Sequence, residues 1–223
     1  PGDDTLDGSL GFDLADYSGS LTAIIGSLVT KLVTGEGTDT LVAIEGFIGS
    51  PLPDRLTGDD GFNWFVGMGG VDTIDGGDGL DDIDYYLATG AVVVDLAAKT
   101  VTGPDGSDVF TNIEGASGTS YDDQLLGDDG ANRLRPRRGD DIVDGRGGFD
   151  TVDYSSGVSG GVTVDLGAGT ATGGGDDDTL ISIEAVIGSG FGDTLYGSTA
   201  ANRLEGGGGD DLLGGRGGQD TFD

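Results

Sequence analysis

A nine-residue period constrains the fold of this chain more than any other feature of its sequence. In three runs, Asp or Asn stands at every ninth position, and an apolar residue follows two positions later. One apolar residue in nine cannot build a thick globular core, so the pattern predicts a thin core that is repeated along the chain. The positions are Asp54, Asn63, Asp72 and Asp81 with Leu56, Phe65, Ile74 and Ile83; Asp123, Asn132, Asp141 and Asp150 with Leu125, Leu134, Val143 and Val152; and Asp193, Asn202, Asp211 and Asp220 with Leu195, Leu204, Leu213 and Phe222.

A longer repeat of about 69 residues contains the nine-residue period. The sequences of residues 13–17, 81–85 and 150–154 are similar, and residues 220–223 begin a fourth copy. Internal repeats of this kind predict a solenoid. We expect one continuous β-solenoid over residues 1–223, with repeat units at about 3–70, 71–139 and 140–209 and a partial fourth at 210–223. Because the pattern is cut at both ends, we expect the sequence to be a segment of a longer array.

The composition excludes several classes of fold and site. The chain has 48 Gly among 223 residues, which leaves little room for ordinary helices and excludes an all-α fold. It has no Cys and no His, so disulfides, thiolate metal sites, histidine ligands and Ser-His-Asp catalysis are excluded. No apolar stretch approaches the roughly 18 residues of a membrane span, and no signal pattern opens the sequence. We therefore expect a soluble segment.

The charge predicts a cation as the partner. Asp and Glu number 41 against 10 Lys and Arg, which gives a net charge of −31. Such a charge repels nucleic acid and anionic membranes, and it repels itself in a compact chain unless cations neutralise it. We therefore expect a hard cation as a partner, beside neighbouring domains of the longer chain, and neither nucleic acid binding nor membrane insertion.

Each nonapeptide combines a Gly-rich turn with a three-residue strand, and two nonapeptides make one coil of a flattened solenoid. Residues 18 apart then stack, so that Asp54 lies over Asp72 and Asp123 over Asp141. Stacked carboxylates and turn carbonyls form an oxygen-only site that suits Ca²⁺ better than Mg²⁺. We expect several calcium ions, roughly four to eight, and folding coupled to their binding. The predicted ligands are Asp4, Asp13, Asp54, Asn63, Asp72, Asp81, Asp123, Asn132, Asp141, Asp150, Asp193, Asn202, Asp211 and Asp220, with the turn glycines Gly70, Gly77, Gly79, Gly139, Gly148, Gly207, Gly209 and Gly218.

The nonapeptides at residues 67–75, 76–84, 145–153 and 206–214 resemble those of the RTX, or haemolysin-type calcium-binding, family. The resemblance implies an all-β fold, a right-handed parallel β-roll or β-helix, with Ca²⁺ in its turns. It also implies a parent protein secreted by a Gram-negative bacterium through a type I system. Repeats of this family stay unfolded at low cytosolic calcium and fold outside the cell.

Some turns depart from the family pattern. The turns at 49–54, 118–123 and 188–193 lack a fourth-position Gly, and we expect them to begin each roll without a full site. The turns at 58–63 and 127–132 end in Asn, which coordinates more weakly than Asp. An arginine cluster at 133–138 indicates either a docking patch for an anionic partner or, as the favoured interpretation, an internal salt bridge that replaces one calcium ion.

Stretches of about 30 residues separate the runs, at 17–41, 85–110 and 154–180. Alternating sequences at 92–96 and 162–166 predict half-buried strands, and we expect these stretches to form wider coils. Asp95 and Asp165 are predicted to be surface residues of those strands.

Three functions remain open at the level of sequence. The leading one is a calcium-binding structural module within a larger secreted toxin, protease, lipase or adhesin. The second is an adhesin or surface-layer spacer that self-associates with calcium. The third is a carbohydrate-active β-helix enzyme, which is disfavoured because each Asp recurs as a ladder whereas a catalytic site is unique. A Gly- and Asp-rich linker that never orders is disfavoured by the fixed spacing of the apolar residues.

Overall fold

The computed structural model describes residues 2–223 and contains 26 short strands and no helix in that range. Most strands have three residues, as expected when Gly-rich turns recur every nine residues. The strands are β1 (Thr5–Asp7), β2 (Leu14–Asp16), β3 (Ile25–Ser27), β4 (Leu32–Thr34), β5 (Thr38–Val42), β6 (Gly46–Ile48), β7 (Arg55–Thr57), β8 (Trp64–Val66), β9 (Thr73–Asp75), β10 (Asp82–Asp84), β11 (Val93–Asp95), β12 (Thr100–Thr102), β13 (Val109–Thr111), β14 (Gly115–Ser117), β15 (Gln124–Leu126), β16 (Arg133–Arg135), β17 (Ile142–Asp144), β18 (Thr151–Asp153), β19 (Val162–Asp165), β20 (Thr170–Gly173), β21 (Asp176–Ile181), β22 (Ala185–Ile187), β23 (Thr194–Tyr196), β24 (Arg203–Glu205), β25 (Leu212–Gly214) and β26 (Thr221–Phe222).

The strands belong to two compact units. The first unit runs through Thr89 and includes Ala98–Gly115, and the second comprises Gly90–Ala97 and Ala116–Asp223. In the first unit, one sheet has the order β1-β5-β4-β3-β7-β9-β13-β12 and the other the order β2-β6-β8-β10. In the second unit the orders are β11-β15-β17-β21-β20-β19-β23-β25 and β14-β16-β18-β22-β24-β26. The prediction of one continuous solenoid stays a prediction.

The nonapeptide runs form parallel pairs with the predicted stacking of residues 18 apart. Leu56 pairs with Ile74 on one sheet, and Phe65 pairs with Ile83 on the other. The second unit repeats this register between Leu125 and Val143. These pairings confirm a parallel β-roll, in which consecutive strands alternate between the two sheets.

The three intervening stretches form wider coils, as predicted. In each of them the chain adds extra strands to one sheet before it returns to the other sheet. In the first stretch, β4 is antiparallel to both β3 and β5, and in the third β20 is antiparallel to both β19 and β21. On the opposite sheet a single parallel pair closes each of these coils, β2 with β6 and β18 with β22.

The core is a row of single side chains from the centre of each strand. Ten of the twelve apolar residues of the nine-residue period are at most 1% exposed. The other two, Leu213 and Phe222, lie on the last strand of each sheet in the second unit, where one side has no neighbouring strand among the described residues. Gly26 stands at the core position of β3. A Cβ there would lie only 3.0 Å from the ring of Phe47, which accounts for a glycine at this position.

Candidate metal sites in the turns

Ladders of backbone amides and carboxylates connect the stacked turns. The amide of Asp54 donates to Oδ1 of Asp72 at 2.8 Å, and the amide of Asn63 donates to Oδ1 of Asp81 at 2.7 Å. The same bond joins residues 123 and 141, 132 and 150, 193 and 211, and 202 and 220. In these six pairs, the last residue of the later turn therefore accepts a hydrogen bond from the turn that lies 18 residues earlier.

The turns have two backbone conformations. In seven turns the second and fourth residues both have positive φ, between 63° and 131°, and we call these the open turns. In six turns neither residue has positive φ, and we call these the closed turns. The open turns are 8–13, 67–72, 76–81, 136–141, 145–150, 206–211 and 215–220, and the closed turns are 49–54, 58–63, 118–123, 127–132, 188–193 and 197–202.

In every closed turn the second residue binds the side chain of the sixth. The amide of Ser50 donates to Oδ2 of Asp54 at 2.5 Å, and the amide of Asp59 donates to Oδ1 of Asn63 at 2.7 Å. The remaining closed turns contain the same bond, at 2.5–2.8 Å. These contacts occupy the side-chain oxygens that the sequence predicted to bind calcium.

In five of the open turns, one carboxylate oxygen of the final Asp is buried and has no hydrogen-bond partner among residues 2–223. Oδ2 of Asp72, Asp81, Asp141 and Asp150 is buried and has no hydrogen-bond partner within residues 2–223, and these four residues are at most 1% exposed. Oδ2 of Asp13 is buried in the same way. Buried carboxylate oxygens are costly unless a donor or a cation meets them.

Burial changes the proton affinity of these carboxyls. It raises the pKa of Asp72 and of Asp141 to about 8, and that of Asp81 to about 7. Burial also raises the pKa of Asp150, to about 6. Neighbouring carboxylates add to the effect, Asp108 on Asp72 and Glu114 on Asp81. A cation bound to these oxygens would favour the charged form of the carboxyls and so lower these pKa values.

The fourth residue of each open turn is a glycine, and in every open turn except 8–13 it lies against the backbone of a closed turn. A Cβ on Gly79 would lie 2.5 Å from the carbonyl oxygen of Gly61, and one on Gly148 would lie 2.1 Å from that of Gly130. Gly139 lies against the carbonyl of Tyr121 in the same way. Glycine is thus required there both by positive φ and by the close approach of the stacked turn.

The turn segments match a known family. A protein-family model, the RTX calcium-binding nonapeptide repeat, matches the chain in four copies, at residues 1–15, 48–83, 117–152 and 187–222. Together these segments cover more than half of the chain. The chain belongs to the RTX calcium-binding repeat family. A search of curated proteins found no match.

RTX repeats bind calcium, and the chain is therefore a calcium-binding repeat module. Among residues 2–223 no three Asp or Glu side chains lie close enough together to hold a metal on their own. Calcium takes about six to eight oxygens and accepts backbone carbonyls among them. Five of the open turns offer a buried carboxylate oxygen without a partner among residues 2–223, in a glycine-rich backbone, and this donor set fits the ion. No helix within residues 2–223 is long and apolar enough to cross a membrane.

The structure places the predicted ligands in different surroundings. The RTX turns bring Asp13, Asp72, Asp81, Asp141, Asp150, Asp211 and Asp220 to the ends of open turns, and Asp54, Asn63, Asp123, Asn132, Asp193 and Asn202 to the ends of closed turns. Asp4 is exposed and donates its amide to Asp39. Of the predicted glycines, Gly77 and Gly207 are second residues and Gly70, Gly79, Gly139, Gly148, Gly209 and Gly218 fourth residues of open turns.

The wide coils continue the ladders with carboxylates that sequence reasoning missed. Oδ1 of Asp108 accepts the amide of Asp72 at 2.9 Å, and its Oδ2 accepts the hydroxyl of the buried Tyr85. Likewise, Asp178 accepts hydrogen bonds from the amide of Asp141 and from the hydroxyl of Tyr154. On the other sheet Glu114 and Glu184 accept the amides of Asp81 and Asp150. The recurrence of these Tyr and Glu residues every 69 or so positions was the signal in the sequence.

Two arginines of the cluster at 133–138 form ion pairs outside the open turns. Arg133 and Arg135 both bind the buried Asp153 at 2.7 Å. The predicted internal salt bridge therefore exists, but it lies at Asp153 and leaves Oδ2 of Asp141 without a partner. Burial would raise the pKa of Asp153, yet its bonds with Ser155 and the two arginines hold it below the usual value.

Asp95 and Asp165 are partly exposed residues at the surface of their strands, as predicted, but each also forms an ion pair that the sequence analysis did not predict. Arg146 binds both oxygens of Asp95 at 2.7 and 2.8 Å, and Arg216 binds both oxygens of Asp165. One repeat earlier, Ser27 and Gly77 stand at the positions that correspond to Asp95 and Arg146, so both partners of the ion pair are absent together. This joint change is a signal in the sequence that the sequence analysis missed. The structure was needed to find it because the two partners are 51 residues apart.

Proposed function

We propose that this chain is a structural module that folds when calcium binds to its open turns. Asp72, Asp81, Asp141 and Asp150 are the principal side-chain ligands, and Asp13, Asp211 and Asp220 have the same role in the remaining open turns. The observation that carries the proposal is the buried Oδ2 of the first four residues, which has no partner among residues 2–223.

Charge supports the coupling of folding to calcium. The chain carries a net charge of −31, and burying unpaired carboxylates opposes folding. Its core holds one apolar side chain per strand and offers little to offset that cost. Each calcium ion would neutralise two charges and bind oxygens that otherwise destabilise the fold, so binding energy becomes folding energy.

The proposal extends to the parent protein. RTX repeat proteins are typically secreted by type I systems, and the module would then stay unfolded in the low calcium of the cytosol and fold outside the cell. In this proposal the segment itself is not an enzyme, because its carboxylates recur in every repeat and form no unique constellation. Any catalytic or toxic activity would belong to other domains of the parent.

Far-ultraviolet circular dichroism tests the proposal. The chain in EDTA should show a coil spectrum, and calcium should convert it cooperatively to a β spectrum in the micromolar to millimolar range, whereas Mg²⁺ at the same concentrations should not. A β spectrum in EDTA that calcium leaves unchanged would refute calcium-coupled folding. It would instead favour a solenoid spacer, and sedimentation with and without calcium would then test self-association.

A further inference from the structure

The closed and open turns follow a fixed order within each RTX run. Two closed turns come first and two open turns follow, and each open turn stacks on the closed turn 18 residues earlier. This order occurs three times, at residues 49–81, 118–150 and 188–220. The family match covers closed and open turns alike, so the distinction is one that the structure adds.

Hydroxyl side chains saturate the Asp of three closed turns. Ser189 donates its amide to Oδ2 of Asp193 at 2.6 Å and its hydroxyl to Oδ1 at 2.8 Å. The amide of Val162, from the wide coil, reaches the same Oδ1 at 2.7 Å. Both carboxylate oxygens thus have protein donors, which occupy the positions where a cation would bind.

The same set of hydrogen bonds occurs in the other two copies. Thr119 binds Asp123 through its amide and hydroxyl at 2.5 and 3.0 Å, and Ser50 binds Asp54 at 2.5 and 2.7 Å. In each copy the hydroxyl also accepts the amide of the fourth residue of the turn. This second bond ties the fourth residue, which in an open turn has positive φ, into the closed conformation.

In two of the other three closed turns, the Asn also donates a hydrogen bond from its side-chain NH₂ group. Nδ2 of Asn63 donates to the carbonyl of Glu45 at 3.2 Å, and Nδ2 of Asn202 donates to that of Glu184 at 3.0 Å. A side-chain NH₂ is a donor and cannot coordinate a cation. Oδ1 of each Asn meanwhile accepts the amide of the second residue of its turn.

We infer that Ser50, Thr119 and Ser189 are locks that exclude calcium from their turns, so that calcium binds only to the open turns, at most one ion to each. This inference rests on the proposed function and deepens it by naming the residues that decide which turns bind. The Asp of a locked turn is satisfied by hydrogen bonds, whereas the Asp of an open turn is satisfied by a metal ion. An open turn can therefore stack on a locked turn that binds no ion.

Unlocking one turn tests the inference. In S189G/F191G the turn at 188–193 reads Gly-Gly-Gly-Gly-Gly-Asp, which permits positive φ at the second and fourth positions, as in the turn stacked on it. Equilibrium dialysis at saturating calcium should show one more bound ion per chain than in the wild type. The matched control S189T keeps a hydroxyl at this position, as Thr119 does in another run, and should leave the ion count unchanged.

A second unlocked variant, T119G/Y121G, repeats the test in another run. The wild type supplies a third result that depends on no substitution, since seven open turns limit it to seven ions. An unchanged count in an unlocked variant that is folded by circular dichroism would overturn the inference, as would a gain in S189T or more than seven ions in the wild type. A wild type that binds no calcium would refute the proposed function itself, which is a different outcome.

Discussion

At the scale of the residue, similar turns differ in whether both carboxylate oxygens of the final Asp accept hydrogen bonds. An Asp whose two oxygens accept bonds from Ser189 and Val162 needs no ion. An Asp such as Asp150, with one buried oxygen unpartnered among the described residues, gains from a cation. Both kinds of Asp occupy the same position of the nonapeptide, so the second and fourth residues of the turn decide between them.

The substitution D150N should remove one calcium ion per chain. Asn keeps Oδ1 for the amide of Asn132 but replaces the free oxygen with a donor that cannot coordinate. Equilibrium dialysis measures the loss, and the urea midpoint in calcium should fall with it. The control D193N makes the same change of charge in a closed turn and should leave the count as it was. Equal losses in the two variants would contradict the distinction between the turns.

The metal-free chain should gain β structure as the pH falls from 8 to 5. The pKa of Asp72 and Asp141 is about 8 in the folded, metal-free chain, against an ordinary value of 3.8 in the unfolded chain. A raised carboxyl pKa stabilises the metal-free fold fully below the unfolded pKa, and this contribution is lost as pH rises toward 8. Protonation therefore removes part of the charge that calcium would otherwise neutralise. Circular dichroism in calcium-free buffer from pH 8 to pH 5 measures this, and a coil spectrum that does not change with pH would contradict it.

At the scale of the element, each three-residue strand contributes one buried side chain. Leu134 and Leu125 are completely buried, whereas Leu212, at an outward position of β25, is 55% exposed. Such a thin core has no second layer that could fill a gap. Stability therefore depends on every strand keeping its central residue.

The substitution L134A should lower the free energy of unfolding in calcium by about 2–5 kcal/mol, because it leaves a cavity in a closely packed row. Urea unfolding measures the change. The control L212A removes an exposed Leu and should cost less than about 0.5 kcal/mol. Similar costs for the two variants would mean that the row is not the core.

The pair of Asp95 and Arg146 connects a wide coil to the narrow coils. Arg146 binds Asp95 on β11 and the carbonyl of Gly127 at 2.8 Å, although its own φ of 64° is unfavourable for a residue with a Cβ. Glycine stands at the corresponding position 77, where Ser27 replaces the acid. The ion pair therefore accounts for an arginine in a conformation that suits glycine.

A double-mutant cycle of D95S and R146G should give a coupling of about 0.2–1 kcal/mol, the range of partly exposed ion pairs. R146G relieves the backbone strain and should cost less than D95S. Urea midpoints of the four proteins measure the coupling, and strictly additive changes would contradict it. The exposed contact of Arg203 with Glu205, at 3.3 Å, serves as the weak reference pair.

At the scale of the whole molecule, the period of the sequence predicted the parallel roll, the stacking of residues 18 apart and the wide coils. Those features follow from local spacing, which the sequence displays directly. The division into open and closed turns was only partly predictable, from the missing fourth glycine at Leu52, Tyr121 and Phe191. The turns at 58–63 and 127–132 have that glycine, yet they are closed because the amide of the second residue binds the Asn.

The most direct measurement is the anomalous calcium signal in crystals of the chain grown with calcium. The account predicts a peak beside Oδ2 of Asp72, Asp81, Asp141 and Asp150, and none beside the carboxylates of Asp54, Asp123 and Asp193. Peaks at the latter three, or a folded chain without a peak at the former four, would contradict it.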